Sequence, residues 1–250
     1  MPKKATQEDA RSDERLAHEH AERFDKVYAK DDETYGSDPS PEIDSFVEQC
    51  VRGGRALDLG AGLGRDSLAL AKRGIEVTAV DVAEAGLQKL LESAKTAGLG
   101  KQVKTRAGDL RTMDFEPETY DVIVAATVLD HMALDDALPV LDRLARSLKS
   151  GGALYVEVHT TEDPGSPVGS GARKLAPQSE TAASVVHYFR SNELLHLLAE
   201  RFRVIYYEER LEWDATHGKP HEHGKAVALC VRKGSHPRYF GEKAKGLHRE

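Results

Sequence analysis

Cysteine is scarce in this 250-residue chain, which has only Cys50 and Cys230. Two thiols can build neither a disulfide framework nor a four-cysteine metal site, so both are expected as small buried hydrophobes in a reducing compartment. Long apolar runs are missing too. The longest, Val122 to Val128, is interrupted only by Thr127 and falls far short of the roughly 20 residues that cross a bilayer. The stretch after Met1 has no apolar centre of the secretory kind, because Lys3 and Lys4 lead into acidic, polar sequence. Basic charge is in deficit: 42 acids face 35 Lys and Arg, for a net charge of −7. A chain without a basic surplus is poorly suited to nucleic acid as its main partner. The expectation is a cytoplasmic globular protein, monomer or homodimer, that engages neither membrane nor nucleic acid. Its 40% apolar and 31% charged residues are interspersed as in an ordinary folded domain.

The acidity is not evenly spread. Residues 1–50 carry 14 acids and 7 bases, and the remaining 200 balance at zero. Leu16, Phe24, Val27 and Tyr28 recur at helical spacing between Asp9 and Lys30, as in an amphipathic helix lying on another surface. Ser37-Asp38-Pro39-Ser40-Pro41 ends that pattern, and Pro41 opens a shorter helix through Ile43, Phe46 and Val47 towards Cys50. Residues 1–50 therefore read as a helical cap, 51–233 as the main domain, and 234–250 as a polar, flexible tail.

From Arg55 the chain alternates short apolar runs with helical periods. Strands are expected at Ala56–Leu59, Ile75–Val80, Val103–Ala107, Tyr120–Val128 and Ala153–Val158. Helices fall between them: Arg65–Arg73, one ending at Gly98, and one through Leu138, Leu141 and Leu144 that the Gly151-Gly152 pair would stop. After a helix at Asn192–Arg201 the alternation fails. Phe202–Trp213 and Ala226–Arg232 are two strands with no helix between them, so they must pair across a polar loop, Asp214 to Lys225. The fold class that follows is α/β: a Rossmann-like, doubly wound sheet of seven strands with helices on both faces. It is mostly parallel and ends in an antiparallel hairpin.

Leu57-Asp58-Leu59-Gly60-Ala61-Gly62-Leu63-Gly64-Arg65 joins the first strand to the first helix. Glycines there let the chain turn sharply and let a ligand approach main-chain amides at a positive helix terminus. Asp81 ends the next strand, where an acid can accept hydrogen bonds from both hydroxyls of a ribose. A dinucleotide fingerprint needs its third glycine three positions after the second, but Arg65 stands there and the glycine comes one residue early. Asp58 beside the turn would repel a pyrophosphate and suits a cationic amino group. These details favour S-adenosylmethionine (SAM) over a nicotinamide or flavin cofactor, and over a turn of purely structural meaning.

At these residues the chain resembles the class I SAM-dependent methyltransferases. Ala56 to Gly64 is similar to the family's first motif, Asp81 to its ribose-binding acid, and Asp109 in Gly108-Asp109-Leu110 to its adenine-contacting Asp. Tyr120 to Thr127 and Leu148-Lys149-Ser150-Gly151-Gly152 are similar to its fourth- and fifth-strand segments, and the terminal hairpin to its last two strands. Phe24-Asp25-Lys26-Val27-Tyr28, Arg65-Asp66-Ser67 and Pro220-His221-Glu222-His223-Gly224 resemble a narrower set, the tellurite-resistance and thiopurine-methyltransferase-like enzymes of small molecules. The resemblance implies methyl transfer from SAM to a small-molecule acceptor, or at the least SAM binding or metal sensing without catalysis. It implies cofactor contacts at Tyr28, Asp58, Gly60, Ala61, Gly62, Gly64, Arg65, Asp81, Val82, Asp109, Leu110, Ala125 and Thr127. Tyr35 is a second aromatic of the cap that could reach the cofactor.

Methyl transfer needs an aligned, desolvated nucleophile first and a base second. His131, just past the fourth strand, stands at the edge where open α/β sheets bind ligands, and is the candidate base and acceptor contact, with Asp130 beside it. His159, His221 and His223 are further acceptor contacts. His217, His221 and His223 have spacings that can converge on zinc or nickel. Pro220 and the glycines around them leave the loop's geometry open and no cysteine is near, so the sequence assigns no metal. The insertion Thr160–Val185, rich in Gly and Pro, is long enough to be expected as a lid over the pocket.

Overall fold

A computed structural model describes residues 19, 21–29, 38–43, 53–168, 176, 178, 184–215 and 219–234. Cys50, Tyr35, His217, the tail beyond Gly234 and most of the expected lid lie outside the described residues.

The strands are β1 (Arg55–Leu59), β2 (Glu76–Asp81), β3 (Val103–Ala107), β4 (Tyr120–Ala126), β5 (Leu148–His159), β6 (Phe202–Asp214) and β7 (His221–Arg232). They form one sheet in the order β3-β2-β1-β4-β5-β7-β6. β1 to β5 run parallel, and β7 is antiparallel to both β5 and β6, as expected from the sequence. The order reverses between β1 and β4, the switch point at which such sheets open a ligand crevice. Four helices connect the strands: α1 (Arg65–Lys72), α2 (Glu84–Thr96), α3 (Leu134–Ser147) and α4 (Glu193–Arg201).

Both faces of the sheet are covered, which is why the central strands read as near-continuous apolar runs. Leu57, Leu59, Ile123 and Val156 pack with Leu141 and Leu144 of α3 and Leu194 and Leu198 of α4 on one face. Ala56, Val77, Val122 and Val124 pack with Leu70 of α1 and Leu87 and Leu90 of α2 on the other. Cys230 is fully buried in the first of these clusters, as expected, and burial pushes its thiol pKa up to about 12.

Two expected boundaries are corrected. The Gly151-Gly152 pair does not stop α3, which ends at Ser147 where the chain turns extended at Leu148. The glycines lie inside β5, at an irregularity in its register with β4, and Gly151 takes the positive φ of 73° that such a bulge needs. The polar run before Ala226 is also not a loop. β7 starts at His221, whose partner across the hairpin is Asp214. His221 and His223 are both buried, and Asp163 in the turn that follows β5 holds the His223 ring and the Gly224 N–H, contacts that draw a polar segment into the ladder.

Residues 21–29 are helical and lean over the carboxyl edge of the sheet. Tyr28 is buried there. Asp25 accepts a 2.9 Å hydrogen bond from the Ala85 N–H, placing a carboxylate on the positive end of α2. Segment 38–43 is fastened to the start of α1, where the Ser40 N–H donates to Asp66 at 2.9 Å and the Arg65 guanidinium to Ser40 Oγ at 3.2 Å.

Candidate active site

One cleft opens at the carboxyl ends of β1, β2 and β4, roofed by residues of the N-terminal helical segment. The turn after β1 forms its floor. Gly64 precedes α1 with φ 84°, and a β-carbon there would run into the fully buried Leu90 of α2, so glycine is needed for both reasons. Gly86, in α2, was not singled out by the sequence. A β-carbon on it would lie 2.9 Å from the Gly62 carbonyl oxygen, so its bareness lets α2 pass close beneath the turn. Nothing in its local sequence signals this, because the contact is with a residue of another element.

Asp81 ends β2 with its carboxylate nearly buried. Oδ2 accepts from the Gly62 N–H and Oδ1 from the Ala83 N–H, each at 2.8 Å. Asp81 therefore holds the glycine turn in place as well as facing the cleft. Burial outweighs these donors and raises its pKa.

Asp58 lies at the base of the cleft with Oδ2 2.5 Å from the Ser67 hydroxyl. Burial, and then the charge of neighbouring Asp66, lift its carboxyl pKa to about 7 against the Ser67 hydrogen bond and the Arg65 guanidinium. Asp109 follows β3 and also lines the cleft, but Arg111 holds its carboxylate, donating to Oδ2 from Nη2 at 2.7 Å and from Nε at 3.0 Å. An amino group reaching Asp109 would have to share it with that guanidinium.

On the far wall, Thr127 turns the chain out of β4 with φ 48°, an uncommon state for a non-glycine residue. Its N–H is held by the Glu157 carbonyl at 2.8 Å. His131 ends a short helical turn, Leu129–His131, and lines the same cleft. Its Nδ1 stands 2.8 Å from the Ser184 carbonyl oxygen, which can only accept, so Nδ1 carries the hydrogen and Nε2 keeps its lone pair. The ring of Phe24 meets His131 edge-on at 5.4 Å.

The cleft thus brings together Tyr28, Gly60, Ala61, Gly62, Gly64, Arg65, Val82, Leu110, Thr127 and His131 with the three acids. Ala125 is not part of it; its side chain is buried in the core of the sheet, and Ala126 lines the cleft instead. His159, His221 and His223 are also not among the lining residues. They gather behind the site. His159 Nδ1 lies 2.5 Å from Asp130 Oδ2, and its ring packs against His223 with centroids 5.1 Å apart. Burial works against the charged imidazole of His159, but the hydrogen bond to Asp130 and its charge win and raise the pKa. Burial pulls His223 below the ordinary histidine value despite its hydrogen bond to Asp163.

A parallel sheet reversing at β1/β4, a left-handed glycine turn and an acid ending β2 are the arrangement of a Rossmann-like nucleotide-binding domain, and residue by residue they resemble the class I SAM-dependent methyltransferases. Residues 56–152 match the family described as Methyltransferase domain. The chain is 30% identical over 137 residues to a phosphatidylethanolamine N-methyltransferase of Cereibacter sphaeroides, an alignment covering 55% of this chain and 66% of that protein. It is 37% identical over 109 residues to a ubiquinone biosynthesis O-methyltransferase of Xylella fastidiosa, covering 42% of each. The matches therefore span between two fifths and two thirds of these relatives. Among solved structures, TehB of Haemophilus influenzae superposes with a TM-score of 0.62 at 20% identity, over 78% of this chain and 63% of that one. A SAM-dependent methyltransferase of Methanosarcina mazei gives 0.60 at 20% identity, over 78% and 98%. At that identity the likeness is one of fold. The cofactor of this domain class is SAM.

Proposed function

We propose that the protein transfers a methyl group from SAM to a small-molecule acceptor bearing a hydroxyl or amine. The observation that carries this reading is the Asp58 carboxyl, buried at the base of the cleft with its pKa lifted to about 7. Its charged form is poorly compensated by the protein, and a ligand ammonium would supply the missing cation. Asp81 would take the ribose hydroxyls, while Val82 and Leu110 would flank the adenine and Asp109 would meet its edge. The relatives named for N- and O-methylation support the acceptor chemistry by analogy.

When bound, SAM supplies a methyl group activated by a positive sulfur. The protein's part is positioning, which can contribute on the order of 7–11 kcal/mol of a barrier. Tyr28 and the glycine turn hold the donor from two sides. Phe24, Val128 and Met132 form an apolar wall that excludes water from the reacting edge. His131, its Nδ1–H committed to Ser184, offers Nε2 to take the acceptor's proton. In this reading residues 1–50 act as a cap over residues 51–233, and residues 160–185 as a lid. The protein works in the cytoplasm as a monomer or homodimer, without nucleic acid or membrane. Among the described residues no helix is long and apolar enough to cross a membrane.

The pH dependence of SAM affinity tests the role of Asp58. With its pKa raised, the ligand-free native state holds a proton there that the unfolded chain has lost, between about pH 4 and 7. This group therefore lowers ligand-free stability as pH rises through that window, and binding of an ammonium reverses the preference. Affinity should fall on the order of 20-fold from pH 7.5 to 5.5, approaching tenfold per unit at the acid end. Calorimetry on wild type and Asp58→Asn measures it. A flat wild-type profile, or an equal slope in the variant, would contradict the assignment.

A further inference from the structure

We propose that the end of the β6–β7 hairpin is a metal site, in which Asp214, His221 and His223 bind one divalent cation of the zinc class. It lies apart from the cleft and is independent of the methyltransferase reading. His221 and His223 are two residues apart on β7 and so share a face, and Asp214 is the cross-strand partner of His221 on that same face. Ligand atoms of the three lie within 4.8 Å of one another. Both histidines are buried, at 2% and 5% exposure.

The hydrogen bonds at Nδ1 set the tautomer of each ring. His221 Nδ1 stands 2.6 Å from the Lys219 carbonyl oxygen, and His223 Nδ1 3.2 Å from Asp163 Oδ2. Both partners accept, so both Nδ1 atoms carry hydrogen and each neutral ring keeps a lone pair on Nε2. Those two Nε2 atoms face each other at 2.9 Å. Two lone pairs at that distance repel unless a proton or a cation stands between them.

The surroundings favour the cation. A metal-bound imidazole characteristically donates its other N–H to a carbonyl or carboxylate, the partners found here. Asp163 is an outer support and not a ligand, because Oδ1 accepts from the Gly165 N–H at 2.7 Å and Oδ2 from Gly224 at 3.0 Å. Glu212 shares the face but is held by Arg210 at 3.0 Å. Two nitrogens on a tetrahedral zinc at about 2.05 Å lie about 3.3 Å apart, so the rings need open by only about 0.4 Å. Two imidazoles and a carboxylate suit zinc better than calcium or magnesium, and a fourth position would remain for water. Such an ion would tie the tip of the hairpin to the turn after β5 through the His223–Asp163 contact.

The test uses tag-free, full-length protein stripped with chelator, then titrated with Zn2+ alone and followed by calorimetry and by metal analysis after dialysis. One equivalent should bind, and at a hundredfold excess over Kd the melting temperature should rise by roughly 5–10 °C. His221→Ala and His223→Ala should each weaken binding at least 100-fold, Asp163→Asn by about 10- to 100-fold, and His196→Ala not at all. Should the alanine variants misfold, His221→Gln and the wild-type thermal shift carry the test. The proposal is overturned if wild type retains no zinc and shows no thermal shift, which would leave a shared proton between the rings. It is equally overturned if the histidine variants bind zinc as well as wild type does.

Discussion

Alanine in place of Asp81 is expected to weaken SAM binding at least 100-fold. Two hydrogen bonds from ribose hydroxyls to a carboxylate are worth about 1.5–3 kcal/mol each, and every 1.4 kcal/mol is tenfold in affinity. The variant also loses the acceptors of the Gly62 and Ala83 N–H groups, each now at 2.8 Å, so the turn that cradles the ligand loosens as well. Two buried donors left without partners cost roughly 1–3 kcal/mol apiece, so the melting temperature should fall alongside. Asp81→Asn keeps one acceptor oxygen and should fall between wild type and Asp81→Ala on both measures. Calorimetry and thermal melting read these together. An affinity within threefold of wild type in Asp81→Ala would remove the residue from the site.

His131→Ala should lower kcat by about 100-fold with a hydroxyl or amine acceptor, the usual contribution of a positioned general base. SAM affinity should change less than threefold, because the proposed contacts of Asp58, Asp81, Asp109 and the glycine turn to the donor come from other elements of the cleft. That split between kcat and donor binding separates a base from a residue that merely packs against Phe24 at 5.4 Å. Unchanged turnover in His131→Ala would end the base role, and a parallel loss of SAM affinity would recast the residue as part of the donor pocket.

Much of this architecture was legible in the sequence because its signals are local. The alternation of Ala56–Leu59, Ile75–Val80 and Tyr120–Val128 with helical periods reports a two-sided sheet, and the glycine turn with Asp81 reports the crevice. Features that depend on contacts between distant segments were not legible. His221-Glu222-His223-Gly224-Lys225 looks like a loop by composition, yet burial against Asp163 makes it strand and gathers its histidines behind the cleft. Gly151-Gly152 carries the usual stop signal for a helix but serves a bulge one element later. The bareness of Gly86 matters only because the Gly62 carbonyl passes within 2.9 Å of where its β-carbon would be. The clamp of Arg111 on Asp109 needs the turn after β3 to fold back on itself, which no periodicity reports.

The central claim is that the crevice beside the β1 turn binds a sulfonium donor, and titration of the full-length protein with SAM, S-adenosylhomocysteine and NAD tests it most directly. The account predicts one-to-one complexes with the first two and no measurable heat with NAD. Binding of NAD without SAM, or no binding of either adenosyl compound, would contradict it.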